Sequence, residues 1–233
     1  MLRGIGYLLS ITLALYALSA LSAGVEFFST LVGRLFGLLL ALVLAYLVSR
    51  LFYGAPIGWG ADRDSVSHAV ALMLPLYAIS FVAMLYFGVD RFMDMAKPGF
   101  AGEWGPSLVP YALLFWTLSG ILTAFFYDAV PYELFRERGR IAGIAGATAV
   151  FALNYNQPLL TGIWRLEDII FFGAAFAYSY SVNGKASSLV LAYLLSELPL
   201  WWCLLSPLGG AVFAGYITAR FLLSAYFLFR HLA

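Results

Sequence analysis

A short charged stretch, PYELFRERGR at residues 131–140, contains the residues best suited to chemistry in this chain. It places two acids and three arginines within eight residues, whereas only 11% of all residues are charged. Such a group of charges could belong to an active site, and Glu133 is the residue in it that membrane topology does not require. The arginines are also what the positive-inside bias gives to a cytoplasmic loop of a membrane protein. The same residues therefore support a catalytic and a purely topological interpretation.

Polar residues inside apolar runs form a second group of candidates. Glu197 lies in SLVLAYLLSELPLWWCLL, and Pro199 opens the backbone hydrogen-bond ladder beside it. A charged side chain in a membrane span costs at least about 2.5–3.5 kcal/mol on insertion scales, so each one needs a partner or a function. Arg220 either pairs with a buried acid such as Glu197 or lines a polar path. The other candidates for a polar cavity or a helix end are Asp128, Asn154 and Asn156.

The elements that position these residues are predicted to be membrane helices. Hydrophobic residues make up 63% of the 233 residues, and the mean hydropathy is +0.91. A soluble domain of this length could not cover so much apolar surface with so few charges. The apolar runs are long and rich in Leu and Ala rather than alternating, which favours helices over a β-barrel. We therefore predict an all-α transmembrane helix bundle that forms a single integral membrane domain over residues 1–233.

Eight membrane spans are predicted from the apolar runs, each close to the length that a hydrocarbon core of about 30 Å requires. They are 5–24, 31–53, 67–88, 107–128, 141–157, 167–183, 187–205 and 209–230. With the N-terminus inside, eight Lys and Arg residues fall on the inner side and four on the outer side, which favours cytoplasmic termini. The inner set is Arg3, Arg50, Arg63, Arg136, Arg138, Arg140, Lys185 and Arg230, and the outer set is Arg34, Arg91, Lys97 and Arg165.

The same composition limits the partners of the chain. A net charge of +1 gives no basic surface for nucleic acid, and the lipid bilayer is the partner that we expect. No cofactor or metal is predicted, because zinc prefers His or Cys ligands and the chain has one cysteine and two histidines. His68 is expected at the membrane interface, and His231 is expected in solvent. An oxygen-ligated ion held by Glu133, Glu197 and Asn154 remains open.

The residues after span four resemble the first motif of the CPBP family, the CAAX-processing and bacteriocin-processing intramembrane proteases. That motif reads Glu-Glu-x-x-x-Arg, usually followed by Gly, and AVPYELFRERGR is similar to it through Glu133, Arg138 and Gly139. The second glutamate of the motif is replaced by Leu134. The resemblance covers about residues 107–205, which we describe as CPBP-like core helices.

Two later motifs of the family also have counterparts here, although both of their histidines are replaced. Phe-x-x-x-His corresponds to Phe151 and Tyr155, and His-x-x-x-Asn/Asp corresponds to Tyr193 and Glu197. The resemblance implies that Glu133 is the general base that activates water for peptide hydrolysis in a membrane-associated peptide or protein. It also implies that Arg138 supports the negative charge of Glu133. Tyr155 and Tyr193 could then donate hydrogen bonds to an oxyanion.

Three functions remain open from the sequence. The chain is an active intramembrane protease that uses Glu133, a hydrolytically inactive relative that binds or scaffolds, or a small transporter or permease subunit. In the third case Glu197, Arg220 and Asn154 line a polar path through the bundle. The position of Glu133 relative to Tyr155 and Glu197 is the feature expected to separate these alternatives.

Overall fold

Apolar helices make up most of the described chain. The computed structural model describes residues 1–55, 57–96, 109–155, 157–162, 168–205 and 209–232, with only the backbone for residues 96, 109, 168 and 197–205. No β-strand occurs in these ranges. The prediction of an all-α membrane protein is confirmed at this level.

Twelve α-helices follow one another along these ranges. They are α1 (Leu2–Ala23), α2 (Leu31–Phe52), α3 (Arg63–Leu72), α4 (Leu74–Phe87), α5 (Val89–Ala96), α6 (Val109–Ile121), α7 (Val130–Phe135), α8 (Arg140–Asn154), α9 (Pro158–Thr161), α10 (Phe176–Asn183), α11 (Ala186–Leu205) and α12 (Gly210–Leu232). Leu122–Ala129 and Asp168–Ala175 are π-helical, and Glu26–Ser29 and Arg136–Arg138 are 3₁₀-helical. Because α6 and α7 continue through the first π segment, residues Pro110–Arg138 form one helix of 29 residues, which we name the long helix.

The number of spans differs from the sequence prediction. Four helices are long and apolar enough to cross a membrane: Leu2–Ala23, Leu31–Phe52, the long helix and Gly210–Leu232. A fifth span results if α3 and α4, which meet at a bend of 50°, are counted together. The predicted spans 141–157 and 167–183 correspond to apolar helices of 15 residues each, α8 and Ile169–Asn183. Fifteen residues rise only about 22 Å, so the eight predicted spans are not confirmed.

Local sequence signals explain where several helices begin and end. The Thr30 side chain accepts a hydrogen bond of 3.0 Å from the Gly33 N–H at the start of α2. Asp62 caps α3 in the same way through the Ser65 N–H at 2.7 Å. The break between α7 and α8 falls at Gly139, whose φ of 110° is a conformation that side chains with a Cβ rarely adopt. This glycine therefore allows α8 to fold back against α7.

Close packing of α7 on α8 depends on a second glycine. A Cβ at Gly146 would lie 2.2 Å from Phe135 Cδ2, so the ring occupies the space that any larger residue would need. Helices α7 and α8 pack against each other, and small residues at such a contact let two helices approach closely. This contact fixes the position of α7, which carries Glu133.

The interior of the bundle is aromatic and its outer face is apolar. The largest fully buried side chains include Tyr7, Phe151, Phe176 and Tyr193, all in one hydrophobic core. Large apolar side chains are exposed on the outer faces of α1, α2, α4 and α12. Exposed apolar surface on helices of spanning length is what a lipid environment requires. The molecule is therefore an integral membrane protein.

Candidate functional site

Glu133 lies near one end of the bundle, where α7 approaches α10 and the end of α2. Its side chain is only 9% exposed, and its Oε2 accepts a hydrogen bond of 2.7 Å from Arg136 Nη2. The Tyr180 hydroxyl donates to Oε1 at 3.2 Å. Tyr53, just beyond α2, is near this carboxylate, and its own burial together with the negative charge of Glu133 raises the pKa of Tyr53. Both carboxylate oxygens therefore have donors.

Arg136, not Arg138, is the cation that pairs with Glu133. The two residues are three positions apart, which places them on the same face of the helix. Arg138 is five positions away and lies exposed in the 3₁₀ turn before Gly139. The interpretation of Arg138 as electrostatic support for Glu133 thus finds no contact in the structure.

Tyr155 and Tyr193 meet at a different place in the bundle. Their hydroxyl oxygens are 3.3 Å apart, and the Tyr193 hydroxyl is also 3.3 Å from Ser119 Oγ. We name Ser119, Tyr155 and Tyr193 the hydroxyl cluster. The Tyr155 ring stacks on Phe151 with centroids 4.7 Å apart. The two positions that correspond to the later motifs are therefore brought together, although they are distant in sequence.

A cavity of about 370 Å³ adjoins the hydroxyl cluster, and we name it the polar cavity. Its apolar walls come from α1, α2 and the long helix. Its polar lining includes Arg34, Ser119, Thr123, Tyr127, Asn154 and Tyr155. The described residues that line it include no Asp, Glu, His or Cys side chain. The lining thus offers hydroxyl, amide and guanidinium groups but no carboxylate base or thiol nucleophile.

Asn154 is held rigidly at this cavity. Its Nδ2 donates to Thr12 Oγ1 at 3.1 Å and to the Val150 carbonyl at 2.8 Å. The side chain is buried, with 2% exposed, and joins α8 to α1. The sequence made Asn154 a candidate for a helix end or a polar cavity. The structure shows both, because α8 ends at Asn154 and the residue also lines the polar cavity.

Glu133 lies far along the long helix from the hydroxyl cluster and the polar cavity. Ser119 and Glu133 are fourteen residues apart on that helix, which corresponds to roughly 20 Å at 1.5 Å per residue. Glu133 is not among the residues that line the polar cavity. The structure therefore brings Tyr155, Tyr193 and Asn154 together and leaves Glu133 outside.

The remaining predicted residues fall elsewhere. Arg220 on α12 donates from Nη2 to Ser196 Oγ at 3.0 Å, and its guanidinium carbon lies 4.0 Å from the centroid of the Tyr77 ring. Arg220 thus joins α12 to α11 and α4 rather than lining the polar cavity. The Glu197 side chain and Asn156 lie outside the described residues.

Two features of these sites were not identified from sequence, and a third, Asp128, was named only as a candidate for a polar cavity or a helix end. Ser119 and Thr123 are hydroxyl residues four positions apart on one helix, a spacing that could have indicated a shared face. Tyr180 shows no sequence signal, because its role depends on the packing of α10 on α7. Asp128 is fully buried in the first π segment, and neither of its carboxylate oxygens has a hydrogen-bond partner. The signal for Asp128 is the lone acid in the apolar run TAFFYDAV.

Both histidines lie together at the end of the bundle that also carries Glu133. The rings of His68 and His231 are 5.4 Å apart between centroids. His231 is exposed, as predicted, and its Nε2 lies 2.9 Å from Ser67 Oγ. Nowhere in the described ranges are three or more His, Cys, Asp or Glu side chains grouped as metal ligands would be.

Comparison with known proteins gives no relative from which a role could be transferred. No family model matches the chain, and no curated protein or solved structure is significantly similar to it.

Proposed function

We propose that the chain is a CPBP-like membrane protein that binds a ligand in the polar cavity and does not hydrolyse peptide bonds. In this proposal the chain forms one membrane domain with both termini in the cytoplasm. The observation that carries the proposal is the separation of Glu133 from the hydroxyl cluster. The CPBP-like assignment rests on the sequence motifs and on the meeting of Tyr155 with Tyr193.

Hydrolysis by a glutamate base requires several groups at one point. The base must reach the attacking water, and the oxyanion donors must lie about 3 Å from the same reacting carbonyl. Glu133 is roughly 20 Å along the helix from Ser119, and its oxygens already bond to Arg136 and Tyr180. This arrangement supports a structural role for Glu133, as an anchor between α7 and α10.

Ligand binding agrees with the size and lining of the polar cavity. A volume of about 370 Å³ lies within the range of about 300–1,000 Å³ that is typical of small-molecule sites. Apolar walls with a few fixed polar groups are also typical of such sites. The Asn154 amide is fixed by two hydrogen bonds, so it costs little entropy to present it to a ligand.

The proposed topology places the polar cavity in the outer half of the bilayer. The cavity is lined by the second half of α1, the first half of α2, the first half of the long helix and the end of α8. With cytoplasmic termini, each of these segments lies on the outer side. Glu133 then lies at the cytoplasmic end. A ligand would reach the cavity from the outer leaflet or the extracellular space.

A peptidase assay tests the absence of hydrolysis. We expect the wild-type protein in proteoliposomes to cleave a CAAX-type peptide no faster than protein-free vesicles do. Glu133→Gln should give the same rate. Cleavage that depends on Glu133 would overturn the proposal.

A fluorescence assay tests binding. The Trp116 ring centroid is 6.0 Å from that of Tyr193, which belongs to the hydroxyl cluster beside the cavity. The fluorescence of Trp116 should therefore respond to a quencher bound in the cavity. We expect a brominated fatty acid to quench Trp116 saturably, and Trp116→Phe should remove that component.

Thr123→Phe, which fills the cavity, should weaken quenching at least tenfold. Thr218→Phe is the matched control, because both threonines donate to the carbonyl four residues earlier and Thr218 lies on α12, outside the cavity. Equal quenching in the two threonine variants would argue against this site.

A transporter is the second candidate, because polar side chains recur along the long helix. Ser119, Thr123 and Tyr127 are at the cavity, and Asp128 and Glu133 follow toward the other end. Such a series could become a path if the helices move. Uptake of a solute into proteoliposomes that is abolished by Asp128→Asn would favour this candidate over a static binding protein.

A further inference from the structure

Asp128 is a buried acid that ligand binding in the polar cavity does not need. It lies in the interior of the long helix, ten residues before its end at Arg138, and none of its surface is exposed. Both carboxylate oxygens are buried, and neither has a hydrogen-bond partner. It does not line the polar cavity. An acidic residue at such a site indicates a function rather than a structural contact.

The surroundings of Asp128 supply no counter-charge. The first π segment packs against α2, α8, α10 and α11, and Tyr7 of α1 donates to the Phe126 carbonyl. The titratable groups of these elements include the hydroxyls of Tyr7, Tyr180 and Tyr193, each of which bonds to another group. The cations of α2 and α8 are Arg34, Arg50 and Arg140, at the ends of those helices. Among the described residues, none pairs with Asp128.

An ionised carboxylate would be very unfavourable here. Asp128 has no exposed surface, and no described residue offers its oxygens a donor or a cation. An acid in such a site neutralises by keeping its proton. Water-exposed aspartates ionise with a pKa of about 3.9 and carry no proton at neutral pH. The burial of Asp128 thus sets it apart from exposed acids such as Asp62 and Asp64.

The π segment is a second, independent observation at the same position. Residues Leu122–Ala129 have i→i+5 hydrogen bonds, a geometry that is rare and frequent at functional sites. Asp128 directly follows Tyr127, which does line the polar cavity. Conversion of the segment to α-helix would rotate Asp128 relative to the cavity, since successive residues of an α-helix are about 100° apart. The fold thus places a buried acid within a π segment.

We propose that Asp128 is an intramembrane proton-binding site, in which the carboxylic acid keeps its proton at neutral pH. The ligand is a proton, held on one of the two carboxyl oxygens. The site goes beyond ligand binding in the polar cavity and does not depend on it. It gives the chain one exchangeable proton inside the bilayer.

Infrared spectroscopy of the full chain in lipid nanodiscs at pH 7 tests this inference. We expect the carbonyl band of a protonated carboxylic acid in the wild-type protein and its loss in Asp128→Asn. Glu133→Gln is the matched control and should retain the band, because the Glu133 carboxylate is paired with Arg136. A band of unchanged intensity in Asp128→Asn would overturn the proposal.

A second measurement keeps the test independent of variant folding. Wild-type protein carrying ¹³C in its aspartate carboxyl groups should shift the band, whereas ¹³C-glutamate should leave it in place. If the band is missing from the wild type, or if only the glutamate label shifts it, Asp128 is ionised and the inference is wrong.

Discussion

Replacing Gly146 by alanine tests the contact that holds α7 against α8. The new Cβ would lie 2.2 Å from Phe135 Cδ2 and 2.8 Å from Phe135 Cβ, whereas ordinary contacts are 3.4–4 Å. The ring has no room to retreat, because its other edge is packed on α1. There, a Cβ at Gly4 would lie 2.9 Å from the same ring. The backbone of α7 or α8 must therefore shift.

The expected cost follows from two opposing terms. Overpacking of this kind costs roughly 1–3 kcal/mol, and the close approach to Phe135 Cβ places it in the upper part of that range. Alanine in a helix interior gains about 1 kcal/mol over glycine. We therefore expect Gly146→Ala to lower the free energy of unfolding by about 1–2 kcal/mol.

Gly215→Ala is the matched control, because Gly215 is in the interior of α12 and a Cβ there meets nothing within 4 Å. This variant should gain up to about 1 kcal/mol. The measurement is thermal unfolding of both variants in the same detergent, and the two midpoints should move in opposite directions. If Gly146→Ala is as stable as Gly215→Ala, the described packing of Phe135 is incorrect.

Three further predictions concern charged side chains. Glu133→Gln should lower the unfolding temperature, because the carboxylate is paired with Arg136 and accepts a hydrogen bond from Tyr180. The exposed Arg138→Gln should leave that temperature unchanged, and equal midpoints for the two variants would contradict this prediction. Lys185 holds the pKa of Asp62 well below its usual range. This ion pair therefore contributes stability that is fully present above about pH 4 and is lost as the pH falls below that value. Asp62→Asn should make the unfolding midpoint depend less on pH during this acidification. Arg220→Gln should destabilise the chain, because the guanidinium lies over a tyrosine ring; Arg91→Gln, at a partly exposed ring contact of 5.5 Å, should have a smaller effect.

The main elements of this fold could be predicted from the sequence because they depend on local patterns. Spans 5–24 and 31–53 correspond closely to α1 and α2, and 209–230 corresponds to α12. Their apolar runs are as long as the bilayer is thick, so composition alone indicates them. The predictions for 141–157 and 167–183 identified helices correctly, but these helices are not among those long enough to cross a membrane. Hydropathy reports only that a segment is buried in an apolar environment, which can be lipid or protein.

The candidate site shows the same division between local and tertiary information. Tyr155 and Tyr193 were identified through motif spacing, and the structure brings their hydroxyls to 3.3 Å. The sequence left open whether Glu133 shares their cavity, and the helix that carries Glu133 is long enough to hold the two sites roughly 20 Å apart. No sequence spacing reports that distance, because it depends on which turn of the long helix faces α11.

By itself, the sequence determined the class of the molecule. Long apolar runs with few charges require a helical membrane protein, because backbone polar groups in lipid must be satisfied within each segment. The tertiary structure decided which polar groups share an environment. It gave Glu133 an arginine and a tyrosine as partners and gave Asn154 a threonine on α1. Among the described residues it left Asp128 with no partner. The physical reason is that an acid's chemistry depends on its solvation and its neighbours, and in a helix bundle those neighbours come from other helices.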